Sequence, residues 1–212
     1  MGYRLSTHFY QMKSIILRIF LADRPKIVYP YRPMNVLRRF YETLRNRHHS
    51  GIFRQIPLHT PGRLYVSPMP FGAYDRGNRL LKLYTRFKIH HVIMLVTDEE
   101  LAKKARRNLK QRYKKNGITF SQYPFIDLQA PSFDIINDLV QEAVDRLSHQ
   151  NVAVHCHAGV GRTGVVACCI VRAVENWPTA KTLDYVKTHM SVDMTTSQTA
   201  IVEAFDTKLY SL

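Results

Sequence analysis

The feature that most constrains this sequence is a short apolar segment that runs directly into a glycine-containing loop and then into an apolar helix. Residues 151–155 read NVAVH, residues 156–164 read CHAGVGRTG, and an apolar stretch follows to about Glu175. An apolar run without polar alternation is typical of a strand buried inside a sheet. A loop between such a strand and a helix turns backbone N–H groups into one concavity, and the helix dipole adds positive potential there. The segment therefore predicts a cradle for an anion with several oxygens.

Strand-like and helix-like segments alternate from Arg63 onward. Apolar runs predict strands at residues 64–67, 91–96, 118–125 and 151–155. Helical spacing and capping signals predict helices at residues 77–87, 97–116, 131–149, 162–175, 179–189 and 197–210. This alternation predicts an α/β fold with a mostly parallel central sheet and helices on both faces.

Residues 1–60 differ from the rest of the chain, because they are basic and rich in proline. Residues 34–48 show helical spacing of apolar side chains. We interpret residues 1–60 as a partly helical N-terminal extension and residues 61–212 as the main domain. The apolar segment 14–22 is too short to span a bilayer, so a membrane contact through it is expected only at the interface.

Charge and cysteine content bear on the partners and the compartment. The chain has 31 Lys and Arg against 16 Asp and Glu, a net charge of +15. Such a field attracts anions of many kinds, so an anionic partner on the basic surface and a merely solvated basic face are both open. The three cysteines include the adjacent Cys168 and Cys169, which argues against a secreted disulfide framework. We expect a reducing, cytoplasmic compartment, and delivery into another cell stays open.

Residues of the predicted loop suit a phosphate ester. Gly159 and Gly161 let the chain curl, which brings the guanidinium of Arg162 over the concavity that begins at Cys156. There the planar fork of the arginine can hold two phosphate oxygens. A cysteine at the floor of a cationic nest is expected to ionise readily and to attack phosphorus in line, forming a phosphocysteine. The alternative is a structural cysteine in a glycine-rich turn.

The ten residues HCHAGVGRTG resemble the Cys-x5-Arg signature of the protein tyrosine phosphatase superfamily. The resemblance covers roughly residues 63–212, and a core of this size is similar to the compact dual-specificity subgroup. It implies that His155 orients the loop and tunes the thiolate, and that Thr163 stabilises the thiolate as it leaves. It also implies a substrate-binding phosphate loop, composed of His157, Ala158, Gly159, Val160, Gly161 and Arg162.

Cleavage of a phosphate ester also needs an acid that protonates the leaving oxygen. Asp127 follows a predicted strand, and its surroundings YPFIDLQAPS resemble the general-acid loop of dual-specificity phosphatases and of the phosphatase and tensin homologue. Asp134 is a rival, but it lies in a predicted helix. Gln198 resembles the glutamine that positions the hydrolytic water in several family members, and its alternative role is a helix N-terminal residue without function.

The resemblance implies a phosphoric monoester hydrolase without metal or cofactor, and we expect a phosphorylated protein substrate carrying phosphotyrosine, with phosphoserine and phosphothreonine also accepted. A phosphoinositide is a second candidate, although lipid-directed relatives place lysines where His157 and Val160 stand. An RNA 5′-phosphate end is a third, which suits the charge of +15 but lacks a recognition motif. A phospho-binding module without catalysis is a fourth, disfavoured because Cys156, Arg162 and Asp127 are all present.

Overall fold

The computed structural model describes residues 51–207. The predictions made for residues 1–50, including the helix at 34–48 and the apolar segment at 14–22, lie outside this range. The described residues form a five-stranded sheet, whose strands are β1 (Arg54–Ile56), β2 (Leu64–Ser67), β3 (Ile89–Met94), β4 (Thr119–Gln122) and β5 (Asn151–His155). Seven helices accompany these strands in residues 51–207, namely α1 (Leu80–Arg86), α2 (Asp98–Lys104), α3 (Leu109–Lys115), α4 (Phe133–Leu147), α5 (Arg162–Glu175), α6 (Thr179–His189) and α7 (Thr196–Ala204).

The strand order is β1-β2-β5-β3-β4, and every pairing is parallel except the antiparallel pairing of β1 with β2. The connection from β3 to β4 moves outward along the sheet, whereas the connection from β4 to β5 moves back across it. Because such crossovers are right-handed, α2 and α3 lie on one face and α4 lies on the other. The predicted α/β fold with a mostly parallel sheet is therefore confirmed.

The single helix expected over residues 97–116 is wrong, because the chain forms two helices there. α2 ends at Lys104 and α3 begins at Leu109, whose first turn is capped by the side chain of Asn108. Arg106 lies between the two helices, and its side chain donates to the carbonyl oxygens of Phe71 and Gly72, each at 3.0 Å. A contact between segments so far apart in sequence leaves no local signal. Helical spacing alone therefore predicted one continuous helix over residues 97–116.

Strand β1 was not predicted, and it lies in the segment assigned to the N-terminal extension. Phe53 and Ile56 are buried, and the ring of Phe53 stacks on Tyr65 with centroids 4.9 Å apart. The sheet thus begins before residue 60, while the division into an extension and a main domain stays a prediction for residues 1–50. The last helix is also shorter than expected within the described range, because it ends at Ala204 and the next residue, Phe205, is extended and buried.

The core lies between the sheet and its helices, and α5 is the most deeply buried helix. Residues from Arg162 to Val171 on α5 are all buried, including Cys168 and Cys169. None of the helices within residues 51–207 is both long enough and apolar enough to cross a membrane.

The carboxyl ends of the parallel strands β3, β4 and β5 share one edge, and the loops that follow them converge there.

Candidate active site

The loop after β5 is curled by hydrogen bonds at both of its ends. The amide of Cys156 donates to Oγ1 of Thr163 at 3.0 Å, which closes the loop across its base. The carbonyl oxygens of His157 and Val160 accept hydrogen bonds from Met69 and Asp193, at 3.1 and 3.4 Å, and are thus tied to flanking segments. These two carbonyl oxygens are therefore engaged by flanking segments, and the anion-binding role of the loop amides stays a prediction.

The sulfur of Cys156 lies on the inner side of this loop. The amide of Gly159 donates to Sγ at 3.2 Å, and only 2% of Cys156 is exposed. Gly159 has a φ of +80°, and a Cβ at this position would lie 2.5 Å from the backbone nitrogen of Pro68. The loop therefore requires glycine here for both its backbone conformation and its close packing.

The guanidinium of Arg162 is fully buried and held from several directions. Nη1 donates to the carbonyl oxygens of Leu95 and Phe125, each at 3.1 Å, and to Oε2 of Glu100 at 2.7 Å. Nη2 donates to Oε1 of Glu100 at 2.9 Å. Burial by itself lowers the pKa of Arg162, but the hydrogen bonds that it donates to Glu100 and its charge interactions with Cys156, Glu100 and Asp127 raise the pKa above its ordinary value. The group thus remains a cation under the loop.

Glu100 is a site residue that sequence reasoning missed, because its segment was interpreted only as a helix start. It does close the capping box of α2 with Thr97, but the same carboxylate also forms an ion pair with Arg162. Although burial raises the pKa of Glu100, hydrogen bonds from Arg162 and Lys104 lower the pKa to about 2. The only available signal was its position just beyond a buried strand, at the sheet edge where loops converge.

Asp127 is brought to the same concavity from the loop after β4. Its Oδ1 lies 3.1 Å from Nε of Arg162, an ion pair without hydrogen-bond alignment, and 53% of its side chain is exposed. An exposed carboxyl beside Arg162 is consistent in position with the predicted general acid, and this role stays a prediction. Asp134, the rival candidate, lies exposed in the first turn of α4.

His155 is completely buried beneath the loop. Its Nδ1 lies 3.1 Å from the carbonyl oxygen of Cys156, which only accepts, so Nδ1 carries the proton and Nε2 accepts from the hydroxyl of Tyr113 at 3.0 Å. Burial lowers the pKa of His155 to about 4. Burial likewise raises the pKa of Tyr113 well above its ordinary value, so both partners are neutral. The neutral imidazole thus holds the backbone of Cys156 in place.

Gln198 is buried at the start of α7 and is engaged through both ends of its amide. Oε1 accepts from the amide of Thr195 at 3.1 Å, which forms a capping box, and Nε2 donates to the carbonyl oxygen of Gln129 at 3.1 Å. A Cβ on Gly161 would lie 3.6 Å from Oε1, so the glutamine adjoins the phosphate loop. Gln198 thus has a structural role as part of the cap of α7, and its role in positioning the hydrolytic water stays a prediction.

Exposed apolar side chains occur around the loops of this site. Tyr74 is 50% exposed, and its ring meets the ring of His157 edge-on with centroids 5.3 Å apart. Ile126 and Leu128, on either side of Asp127, are 63% and 67% exposed. Within residues 51–207, no group of three or more His, Cys, Asp or Glu side chains is placed to hold a metal ion.

Comparisons with known proteins agree with this geometry. A family model described as "Polymorphic toxin system, DSP-PTPase phosphatase" matches residues 72–175. Protein tyrosine phosphatase domain-containing protein 1 of Mus musculus is 39% identical over 61 residues, which are 29% of this chain and 8% of that protein. Inositol diphosphatase DSP4 of Arabidopsis thaliana is 24% identical over 151 residues, covering 68% of this chain and 76% of that protein. The solved structure of kinase associated phosphatase is similar, with a TM-score of 0.67 at 18% identity, over 78% of this chain and 99% of that chain.

The match to the mouse protein thus spans less than a tenth of that relative's length. The fold, the loop after β5 and the family match define a Cys-x5-Arg phosphatase domain of the dual-specificity type. The chain belongs to the protein tyrosine phosphatase superfamily as a dual-specificity-like member, and the predicted membership is confirmed.

Proposed function

We propose that this chain is a phosphoric monoester hydrolase that removes phosphate from phosphotyrosine, and also from phosphoserine and phosphothreonine, in protein substrates. The observation that carries the proposal is the convergence of Cys156, Arg162 and Asp127 on one concavity, from the loop after β5 and the loop after β4. Loop amides and the guanidinium neutralise the phosphate, as preorganised donors do where charge develops.

In the first step, the thiolate of Cys156 attacks phosphorus while the ester P–O bond breaks. Asp127 transfers its proton to the departing oxygen, so the alcohol or phenol leaves neutral. In the second step, water attacks phosphorus of the phosphocysteine, Asp127 takes a proton from that water, and the P–S bond breaks, which releases inorganic phosphate and restores the thiolate of Cys156. Thr163, which binds the amide of Cys156 at 3.0 Å, keeps the nucleophile at the loop base throughout.

The surroundings of the loop support a protein substrate. Tyr74, Ile126 and Leu128 are at least half exposed next to loop residues, and they offer apolar contact to an aryl ring and to peptide side chains. The loop carries His157 and Val160 rather than lysines, which argues against a strong preference for highly charged inositol lipids. An inositol phosphate remains a second candidate, because the Arabidopsis relative is named an inositol diphosphatase.

The chemistry of the nucleophile supports the proposal of a reducing compartment. A thiolate attacks phosphorus only while it is reduced, and all three cysteines among residues 51–207 are free. A reducing, cytoplasmic environment therefore suits the proposed reaction. The family that matches residues 72–175 is described as a phosphatase of a polymorphic toxin system. The cytoplasm of a second cell, into which the protein is delivered, would also keep Cys156 reduced.

The decisive experiment compares wild type with Cys156→Ser, using Cys168→Ala as a control that also removes a buried thiol. We expect wild type and the control to hydrolyse p-nitrophenyl phosphate and phosphotyrosine peptides, whereas Cys156→Ser loses the activity. Rapid acid quench with ³²P-labelled substrate should label wild type but not Cys156→Ser. Equal rates for wild type and Cys156→Ser would refute the proposal, and faster turnover of inositol phosphates than of phosphopeptides would select the second candidate.

A further inference from the structure

A second concave surface adjoins the phosphate loop. It is a cleft of about 790 Å³, and the loop residues Ala158, Gly159 and Val160 form part of its wall. The remaining wall comes from residues 51–54, from residues 66–68 at the end of β2, from the turn at residues 73–79 and from residues 190–191 after α6. The cleft and the concavity at Cys156 therefore share the loop. The size falls within the range of about 300–1,000 Å³ that is usual for ligand sites.

Three arginines line this cleft, namely Arg54, Arg76 and Arg79, and its lining contains no carboxylate. All three side chains are exposed, and none forms an ion pair with another residue in the range 51–207. Arg54 donates to the carbonyl oxygen of Gly51 at 3.0 Å, which holds its guanidinium at the cleft. Clustered guanidinium groups without a counter-charge form a ready site for a phosphate, which they bind in bidentate fashion.

The nearest carboxylate in sequence does not neutralise this cluster directly. Asp75 is completely buried, and its Oδ1 accepts from the amides of Arg79 and Leu80 at 2.9 and 3.2 Å. Its Oδ2 accepts from the amide of Phe71 at 2.9 Å. The carboxylate therefore fixes the backbone of the turn that presents Arg76 and Arg79, and leaves their guanidinium groups available.

We propose that the cleft binds a second phosphate group of the same peptide, while the phosphotyrosine occupies the loop around Cys156. The inference rests on the proposed function and specifies its substrate as a doubly phosphorylated peptide segment. Ile52, Tyr74 and Met190 also line the cleft. These apolar walls suit the backbone and side chains of a peptide, whereas an inositol polyphosphate ring has little apolar surface to offer them.

The test uses one peptide in two forms, with phosphotyrosine alone and with an added phosphoserine a few residues away. We expect wild type to prefer the doubly phosphorylated form by about tenfold in kcat/KM, the effect of one charge-assisted hydrogen bond. The double variant Arg76→Ala, Arg79→Ala should lose this preference. The matched control Lys114→Ala, Lys115→Ala removes two exposed charges from α3 and should retain it.

Two further measurements separate the cleft from the catalytic loop. Hydrolysis of p-nitrophenyl phosphate should be unchanged in the arginine variant, because this small ester does not reach the cleft. If neither wild type nor the variants hydrolyse p-nitrophenyl phosphate, the proposed function fails. The affinity of Cys156→Ser for the two peptides then tests the cleft independently of catalysis. Equal affinity for the two peptides, or equal loss of preference in the lysine control, would overturn the inference. So would tighter binding of an inositol polyphosphate that depends on Arg76 and Arg79.

Discussion

The carboxylate of Glu100 grips the guanidinium of Arg162 through two hydrogen bonds, of 2.7 Å to Nη1 and 2.9 Å to Nη2. The carbonyl oxygens of Leu95 and Phe125 accept from the same Nη1. The arginine is therefore oriented before any substrate arrives, so less ordering remains to be done when phosphate binds. Nε has no hydrogen-bond partner among residues 51–207 and lies 3.1 Å from Oδ1 of Asp127.

Replacing Glu100 should impair catalysis although the residue does not touch phosphate. We expect Glu100→Ala to lower kcat/KM for an aryl phosphate by about a hundredfold, since a misplaced arginine costs that much, and Glu100→Gln, which retains one acceptor, to lose less. Glu99→Ala is the control, because Glu99 is exposed and its one ion pair within residues 51–207 is with Lys103 on the surface. Steady-state kinetics and thermal unfolding check this, and full activity in a stably folded Glu100→Ala would contradict it.

Asp127→Asn should affect substrates according to their leaving group. An amide cannot donate a proton as an acid does, so we expect kcat for phosphotyrosine to fall by about 10²–10³-fold, within the usual contribution of general acid catalysis. An ester with a strongly acidic phenol, which leaves without help, should be affected much less. Asp134→Asn, on the exposed first turn of α4, serves as control. A uniform loss over all leaving groups would speak against the acid role.

Gly159→Ala should damage the loop more than a comparable substitution elsewhere. Both Gly159 and Gly117 have positive φ angles, of +80° and +67°, so alanine is strained at each position. A Cβ on Gly159 would also lie 2.5 Å from the backbone of Pro68, whereas a Cβ on Gly117 meets nothing within 4 Å. We expect Gly117→Ala to cost about 1 kcal/mol in urea unfolding and to remain active, while Gly159→Ala loses phosphate binding. Similar behaviour of the two variants would exclude the steric argument.

The buried His155 should make the protein less stable in mild acid. The pKa of His155 is lowered by burial from 6.5 to about 4, so the unfolded chain binds a proton first as the pH falls. Stability is thus lost between pH 6.5 and pH 4, and this contribution does not change further below pH 4. From pH 7 to pH 5 the loss from this group is about 2 kcal/mol.

Urea unfolding of wild type and of His155→Asn at these two pH values checks the prediction. The asparagine keeps a donor for the carbonyl oxygen of Cys156 but does not titrate, so the variant should show the smaller loss of stability. Burial also lowers the pKa of His91 to about 4, and this histidine remains in both proteins, so part of the loss persists. An equal loss in the two proteins would show that His155 does not titrate as described.

Much of the site was predictable because its chemistry lies in one continuous stretch. The strand before Cys156, the loop of residues 156–161 and the helix from Arg162 are joined by local geometry, and the structure has them at the expected positions. Asp127 was found in the same way, from a short stretch at a strand end. Helix α6, with bounds at Thr179 and His189, matches the apolar spacing of its own residues.

The sequence by itself therefore determined the alternation of strands and helices after residue 63 and the strand-loop-helix segment around Cys156, because periodicity, caps and glycines act over a few residues. Only the tertiary structure decided that Glu100 orients Arg162 across 62 residues, that Arg106 breaks a helix, and that β1 joins the sheet. These outcomes depend on which segments pack against each other. Hydrogen bonds between distant segments form only once the sheet is assembled, so no local sequence pattern predicts them.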